Sequence, residues 1–371
     1  MKLLYVTSLS GKRINGFMRS AIAAARNLGI GFTMACNTDM ADKENYVIDC
    51  KEYGIKLEHI DFDRNPLNPK NLNAKNQLLK LMENGKYDIV HCNTPIGGLL
   101  GRLCAHRARV KHVIYQAHGF HFWKGAPFKN WVLYYPVELW LSKYTDILIT
   151  ITKEDYEIAK RMHAKKCTYV HGVGIDLRKF SRKANNDKNY TLREKLEIPE
   201  NATVLLSVGE LNDNKNHEAV IRALAELHYD NIYYIICGDG SLKTHYEYLA
   251  KELHLSERVL LVGFCENMYD YYRMADLFVF PSLREGIPAS VMEAIATGIP
   301  VVASDIRGIS DLVLDDKYRF DPRNFTQLSK VIQDALINYP YNKIEENYKN
   351  LLYYKYDAVV SEMQTIYASL R

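Results

Sequence analysis

The sequence lacks the features that mark several common classes of protein. No segment approaches the ~20 consecutive apolar residues of a membrane-spanning helix, and the apolar start of the chain is too short for a signal peptide, so we expect it to form a first strand. The seven cysteines include no Cys-x-x-Cys pair, which predicts neither a disulfide framework nor a zinc site. No strand-like segment is followed by Gly-x-Gly-x-x-Gly, and this argues against a dinucleotide-dependent dehydrogenase. We therefore expect a reduced, cytoplasmic protein.

Acidic residues are distributed unevenly along the chain. The net charge of +4 is the sum of +11 for residues 1–180 (27 Lys and Arg against 16 Asp and Glu) and −7 for residues 181–371 (21 against 28). Residues 89–137 include no Asp or Glu, and aromatic side chains are frequent in residues 120–135. The pattern indicates either a solvated basic face or a surface for an anionic partner. We predict peripheral, salt-sensitive docking on an anionic membrane through the region around Phe120–Tyr135, which should weaken when Lys124, Lys129 and Trp131 are replaced together. The alternative is that the aromatic residues pack an interdomain or acceptor-side helix.

Short apolar strands alternate with helical segments in both halves of the chain. Runs such as KLLYVTSL and DIVHCN in the first half, and TVLLSVG and LFVFPS in the second, are rich in Leu, Ile and Val. Such strands, separated by helices, are typical of parallel sheets that are covered on both faces. With 371 residues the chain is too long for one ordinary core. We predict an α/β protein with two Rossmann-like domains facing each other across a cleft, joined in the polar stretch 181–202.

The stretch REGIPASVMEAIATG, residues 284–298, follows one of these strands and carries two glutamates, Glu285 and Glu293. Pro288 suits the first turn of a helix and Gly298 suits its end, so Glu285 is predicted in the loop and Glu293 within the helix. A helix N-terminus offers unpaired N–H groups and a partial positive charge, which favour a phosphate. Carboxylates on either side accept hydrogen bonds from hydroxyl groups. The pattern therefore fits a nucleotide-sugar, with its sugar and its ribose on opposite sides of the phosphate.

This stretch resembles the E-x7-E motif of the family 4 glycosyltransferases, which have the GT-B fold of two Rossmann domains. The resemblance covers nearly the whole chain and includes the segments DIVHCNTPIGGLLGRL, AHGFHFWKG, HGVGID, SVGELNDNKNH and MADLFVFPSLREGIPASVMEAIATGIPVVASD. The sequences of these segments are similar to those of the bacterial enzymes that build capsular or exopolysaccharide repeat units. The resemblance implies an acceptor-binding domain at 1–180, a nucleotide-sugar-binding domain at 181–355, and a terminal helix at 356–371 that packs back on the first domain.

The resemblance also assigns roles to individual residues. It implies that three residues take part in catalysis: His118 against the sugar, Lys215 at the diphosphate and Glu285 at the donor sugar. It implies that five residues bind the donor: Gly11, Phe264, Gly286, Ile287 and Glu293. Of these, Glu293 would accept hydrogen bonds from the ribose, and the backbone around Phe264 would receive the base.

A carboxylate stands where the family often has a phosphate-binding arginine. The position lies two residues after the valine of SVGELNDNKNH and is Glu210. Because a carboxylate cannot bind a diphosphate directly, either Lys215 and the helix N-terminus suffice or another cation substitutes. No Asp-x-Asp stands where a metal-bridged diphosphate would need it, and no set of His, Asp and Glu has metal-ligand spacing. We therefore expect no metal cofactor.

The function implied by the resemblance is that of a retaining hexosyl- or N-acetylhexosaminyltransferase. It would move a sugar from a nucleotide-sugar, expected to be UDP-linked, to a polyprenyl-diphosphate-linked saccharide at the inner face of the cell membrane, with no nucleic acid as partner. No second carboxylate is evident as a nucleophile, so we expect a same-face displacement in which the leaving phosphate accepts the acceptor's proton. Two other functions remain open: a nucleotide-sugar epimerase of the same fold, and a non-catalytic subunit that binds a sugar nucleotide.

Overall fold

Two compact α/β units make up the chain. The computed structural model describes residues 1–8, 13–14, 16–39, 41–180, 190–227 and 229–371. One unit comprises Met1–Gly174 and Tyr356–Arg371, and the other comprises Ile175–Lys355. Gly11, the donor-binding residue expected in the first loop, lies outside the described residues.

The described part of the first unit has one parallel sheet of seven strands, in the order β3-β2-β1-β4-β5-β6-β7. The strands are β1 (Lys2–Val6), β2 (Gly31–Cys36), β3 (Lys56–His59), β4 (Ile89–Asn93), β5 (His112–Ala117), β6 (Ile147–Thr150) and β7 (Lys166–Tyr169). The helices are α1 (Gly16–Asn27), α2 (Lys43–Tyr53), α3 (Lys70–Gly85), α4 (Pro95–Arg107), α5 (Phe128–Leu141) and α6 (Lys153–Ala159), with a 3-10 turn at Ser142–Tyr144. Successive residues of a strand point to opposite faces, so Leu3 and Tyr5 lie in one buried cluster while Leu4 and Val6 lie in another.

The second unit repeats this plan with six parallel strands among its described residues, in the order β10-β9-β8-β11-β12-β13. The strands are β8 (Thr203–Val208), β9 (Ile232–Cys237), β10 (Val259–Gly263), β11 (Leu277–Phe280), β12 (Val301–Ser304) and β13 (Arg319–Phe320). The helices are α7 (Tyr190–Lys195), α8 (His217–Leu227), α9 (Lys243–Glu252), α10 (Met268–Met274), α11 (Ala289–Thr297), α12 (Phe325–Asn338) and α13 (Tyr341–Leu351), with 3-10 turns at Leu177–Lys179, Asp316–Tyr318 and Leu352–Tyr354. Both sheets have the Rossmann order, in which ligands bind beyond the carboxyl ends of the strands.

The terminal helix α14 (Tyr356–Ala368) packs on the first unit. Its Val359 and Met363 belong to the same buried cluster as residues of β1 and α1, and the Tyr367 hydroxyl lies 2.7 Å from Nδ1 of the buried His91. The predicted α/β class, with two Rossmann-like domains and a terminal helix that returns to the first, is confirmed. No helix in the described ranges is both long and apolar enough to cross a membrane.

Candidate active site

The carboxyl ends of the strands in the second unit lead into four loops with polar side chains. These loops follow β8, β10, β11 and β12. Helix α11 begins directly after the loop that follows β11, and its cap residue Pro288 makes no side-chain hydrogen bond to the first turn. The first N–H groups of α11 therefore have no side-chain cap, and this is the arrangement in which a helix N-terminus binds an anion.

Lys215 and Glu285, two of the predicted catalytic residues, form an ion pair. Lys215 Nζ lies 2.6 Å from Glu285 Oε1, and the two side chains are only 22% and 18% exposed. The lysine side chain runs over Gly209, where an added Cβ atom would come within 3.0 Å of Lys215 Cδ. The ammonium lies 5.5 Å from the centre of the Phe280 ring. The absence of a side chain at Gly209 thus leaves room for the Lys215 side chain, whose ammonium reaches the Glu285 carboxylate beside the Phe280 ring.

Backbone contacts fix the loops that carry this pair. The Asn214 side chain donates to the carbonyl of Arg284 at 3.0 Å. Arg307, which is buried, donates from Nε and Nη2 to the carbonyl of Glu285 at 3.3 and 3.2 Å. Asn214 and Arg307 were not predicted from the sequence, because every residue type has a backbone carbonyl, and a side chain that binds one leaves no mark on the residue it holds. The one available signal was that both lie in loops that directly follow strands.

Glu293 is the fifth residue of α11 and is half-buried. Its Oε2 accepts a hydrogen bond of 2.8 Å from the hydroxyl of the buried Tyr272, which also lies 3.2 Å from the carbonyl of Ser290. Burial raises the pKa of the Glu293 carboxyl, while the Tyr272 hydroxyl and the positive charge of Lys179 act in the opposite direction. Tyr272 was not predicted, and it gives Glu293 a fixed orientation. A fixed, partly desolvated carboxylate is suited to accept hydrogen bonds from hydroxyl groups.

The other residues predicted to bind the donor lie on two loops. Gly286 and Ile287 follow Glu285, and the Ile287 side chain packs partly against the core of the second unit. Phe264 directly follows β10, and its ring is 83% exposed. Glu210 is exposed in the loop after β8. Within the described ranges, no group of three or more His, Cys, Asp or Glu side chains could hold a metal ion.

His118, the remaining predicted catalytic residue, belongs to the first unit. It directly follows β5, and its Nε2 lies 3.0 Å from Oδ1 of Asn93, the last residue of the neighbouring strand β4. Burial lowers the pKa of His118 to about 4, so the imidazole is neutral at pH 7. A neutral imidazole donates or accepts hydrogen bonds but supplies no positive charge.

The aromatic segment of the first unit is divided between inward and outward side chains. Phe122 is buried, and its ring packs against those of Trp131 and Tyr135 at centroid distances of 5.4 and 5.3 Å. Trp131, one of the residues named for the docking region, is partly buried, and its side chain packs against the core. The outward face of α5 instead carries six exposed apolar side chains: Phe128, Val132, Leu133, Tyr134, Val137 and Trp140.

Known proteins resemble this chain along most of its length. Residues 2–152 match the family described as glycosyl transferase 4-like, and residues 189–351 match the glycosyl transferases group 1. EpsD of Bacillus subtilis (strain 168) is 41% identical over 278 residues, which cover 71% of this chain and 72% of that protein. The UDP-Gal:alpha-D-GlcNAc-diphosphoundecaprenol alpha-1,3-galactosyltransferase of Escherichia coli is 32% identical over 285 residues, which cover 72% of this chain and 73% of that enzyme.

A solved structure extends the resemblance to the whole fold. The crystal structure of Anabaena Alr3699/HepE in complex with UDP superposes with a TM-score of 0.79 over 100% of both chains. At 18% identity this similarity shows the fold alone. Together with the family matches and the two relatives, it confirms the resemblance that the motifs indicated. The chain is a glycosyltransferase that belongs to the family 4, group 1 enzymes and has the GT-B fold.

Proposed function

We propose that the protein is a retaining glycosyltransferase that moves a hexosyl or N-acetylhexosaminyl group from a UDP-sugar to a polyprenyl-diphosphate-linked saccharide, in capsule or exopolysaccharide synthesis. The observation that carries the proposal is the Lys215–Glu285 pair on loops next to the uncapped start of α11. A cation and a helix N-terminus suit a diphosphate, and a carboxylate suits sugar hydroxyls. The name of the Escherichia coli relative gives a UDP-linked donor and a lipid-diphosphate acceptor, which supports both substrate classes.

Each residue predicted from the sequence keeps its role within this proposal. Lys215 binds the diphosphate, Glu285 faces the donor sugar, and Glu293 accepts hydrogen bonds from the ribose while Tyr272 orients it. The remaining proposed contacts are His118 at the sugar, the backbone of Gly286 and Ile287 at the sugar or phosphate, the backbone around Phe264 at the base, and Gly11 in the first loop.

The proposed reaction is a same-face displacement. The acceptor hydroxyl oxygen forms a bond to the anomeric carbon while the bond from that carbon to the diphosphate oxygen breaks. The hydroxyl proton passes to the leaving phosphate, and the anomeric configuration is retained. Lys215 and the start of α11 stabilise the charge that develops on the leaving diphosphate, and the protein otherwise acts by positioning. The proposal includes no metal.

A product assay tests this function. The protein is incubated with a panel of UDP-sugars and a polyprenyl-diphosphate-sugar acceptor, and products are identified by mass spectrometry and by the anomeric coupling in NMR spectra. We expect extension of the acceptor by one sugar with the donor's configuration. An inverted product would contradict retention. Conversion of a UDP-sugar without acceptor would indicate the epimerase, and UDP binding without turnover across the panel would indicate a non-catalytic subunit.

We also propose that the outward face of α5 docks the enzyme on an anionic membrane, where a lipid-linked acceptor lies. Leu133, Val137 and Trp140 are 61%, 45% and 45% exposed, and Phe128 at the start of the helix is 81% exposed. The spacings of four and three residues between Leu133, Val137 and Trp140 place these three along one side of the helix. A contiguous apolar face of this kind marks an interaction site. The exposed Lys124 and Lys129 stand beside it in a segment without Asp or Glu, and this charge favours anionic lipid as the partner.

Co-sedimentation with lipid vesicles tests the docking. Binding is expected to rise with the fraction of anionic lipid, to fall with added salt, and to be lost when Phe128, Leu133 and Trp140 are all replaced by Ser. Ile337→Ser with Tyr353→Ser is the matched control, since both side chains are exposed and apolar but belong to the second unit. Equal binding to neutral and anionic vesicles, or unchanged binding of the triple variant, would contradict the proposal. If wild type does not bind vesicles but self-associates, and the triple variant no longer does, the face would instead bind a second copy of the chain.

A further inference from the structure

Two side chains that are proposed to bind different parts of the donor contact each other. Lys215 is proposed for the diphosphate and Glu285 for the sugar, yet the ammonium and the carboxylate are 2.6 Å apart and both are largely buried. In this arrangement the carboxylate neutralises the cation that the diphosphate needs. The contact therefore couples the diphosphate subsite to the sugar subsite.

Hydrogen bonds join the loop that carries Lys215 to the loop that carries Glu285, so the two loops are held at a fixed distance from each other. The Leu283 N–H donates to the Asn214 carbonyl at 2.8 Å, and the Asn214 side chain donates to the carbonyl that precedes Glu285. Arg307 holds the Glu285 carbonyl from another side. Any change in the distance between ammonium and carboxylate must consequently come from side-chain rotation.

Glu285 opposes the binding of a bare diphosphate in two ways. It occupies one of the three hydrogen-bond donors of Lys215, and it brings a negative charge to the place where an anion would bind. A sugar attached to the diphosphate changes this balance, because its hydroxyl groups donate to the carboxylate. Lys215 is then released to the phosphate oxygens. A nucleoside diphosphate without a sugar offers the carboxylate no such replacement.

We propose that the Glu285–Lys215 pair distinguishes the donor from the nucleotide product. It weakens the binding of free UDP, while the sugar of the donor offsets the penalty. After transfer, the pair forms again and promotes release of UDP. This inference rests on the proposed function, and it assigns control of product release to the same site.

Calorimetry with UDP alone tests the inference on four proteins: wild type, Glu285→Gln, Lys215→Met and the double variant. Glu285→Gln keeps the length of the side chain, Lys215→Met keeps an unbranched side chain one atom shorter, and thermal melts check that each variant is folded. We expect Glu285→Gln to bind UDP about tenfold more tightly, or ~1.4 kcal/mol, although it loses turnover. Lys215→Met is expected to bind UDP at least tenfold more weakly. In the Lys215→Met background, Glu285→Gln is expected to bring a smaller gain, because only the direct repulsion between the carboxylate and the diphosphate remains to be removed.

Glu210→Gln provides the matched control, because Glu210 is an exposed carboxylate on the same loop as Lys215. Its removal acts only through space, so its effect on UDP affinity is expected to be the same with and without Lys215. UDP affinity that is unchanged or weaker in Glu285→Gln would overturn the inference, and so would an equal gain in the Lys215→Met background. Failure of wild type to bind UDP would contradict the UDP donor itself and the inference with it, so the two failures are distinguishable.

Discussion

Replacement of Glu293 is the perturbation that best separates a binding role from a structural one. The carboxylate is half-buried, and burial raises its pKa above the usual 4.5 even though Tyr272 donates a hydrogen bond to it. A helix residue kept only for stability would gain nothing from a desolvated charge. We expect such a group to be held ready for a ligand, at some expense of stability.

Two substitutions give opposite expectations for binding and stability. Glu293→Ala removes hydrogen bonds to a charged group, each contributing ~1.5–3 kcal/mol, and should weaken UDP binding about 10- to 100-fold. Glu293→Gln keeps the shape and an acceptor for Tyr272 but loses the charge, so it should weaken UDP less. At pH 7 the glutamine variant should be at least as stable as wild type, because it has no buried charge to desolvate.

The pH dependence of stability follows from the direction of the shift. Since the folded protein holds the Glu293 proton more tightly than the unfolded chain does, wild type loses stability as pH rises through the window between 4.5 and the raised folded pKa. The glutamine variant does not titrate there. Its melting temperature relative to wild type should therefore be higher at pH 7 than below pH 4.5.

Calorimetry for UDP and thermal melts at the two pH values measure these quantities. Glu252→Gln is a matched control, because Glu252 accepts a 2.8 Å hydrogen bond from the Tyr248 hydroxyl at an exposed place. It should change neither UDP affinity nor the pH dependence of melting. A folded Glu293→Ala variant with UDP affinity within twofold of wild type would refute the binding role. A clear loss of stability in Glu293→Gln at pH 7 would show that the carboxylate is structural.

Four further outcomes are expected. Glu285→Ala should lower turnover ~10²-fold or more while the fold survives, and near wild-type turnover would rule out its catalytic role. Activity should persist in excess EDTA; a loss that Mg²⁺ or Mn²⁺ restores would contradict the metal-free proposal. Because the His118 pKa is lowered to about 4, the pH–rate profile of His118→Asn between pH 6 and 8 should have the same shape as that of wild type, even if its turnover is lower. A titration step that wild type shows in this range and the variant lacks would show that the His118 ring titrates there. Glu138→Gln, which leaves the buried Arg102 without its 2.9 Å ionic partner, should cost ~3 kcal/mol of unfolding free energy, and an unchanged melting temperature would show that water or a neighbouring group compensates.

The sheet strands that the sequence predicted are those in which apolar residues predominate. The central strands of both sheets, such as β4 and β8, are buried almost throughout, and burial on both faces favours apolar side chains, although His91, Asn93 and Ser207 are also buried there. Strands β3 and β13, which lie at the edges of the sheets, were not predicted from the sequence. Strand β3 reads KLEH and is mostly exposed, while β13 has two residues, so neither carries a hydrophobic pattern.

Helix α5 shows why composition did not reveal which aromatic residues face outward. Its sequence, FKNWVLYYPVELWL, is apolar on nearly every side, so no 3.6-residue period separates a buried face from an exposed one. Trp131 and Tyr135 pack inward against Phe122, whereas Phe128 and Leu133 on the same helix are exposed. The direction of each side chain depends on how the helix is rotated against α4 and the sheet, and that rotation is a property of the tertiary structure.

Of the two cations next to Glu285, the family resemblance assigned Lys215 to the diphosphate, and nothing in the sequence pointed to Arg307. Both are basic residues in loops that follow strands, and Arg307 could have been the cation that substitutes for an arginine at Glu210. The structure gives them different tasks, because Arg307 is buried and binds the Glu285 carbonyl, whereas Lys215 binds the Glu285 carboxylate. A guanidinium that holds a backbone carbonyl fixes where the loop lies, and an ammonium that holds a carboxylate can exchange it for another anion. The difference between a positioning cation and an exchangeable one therefore depends on the atom each contacts, and the residue types alone do not reveal it.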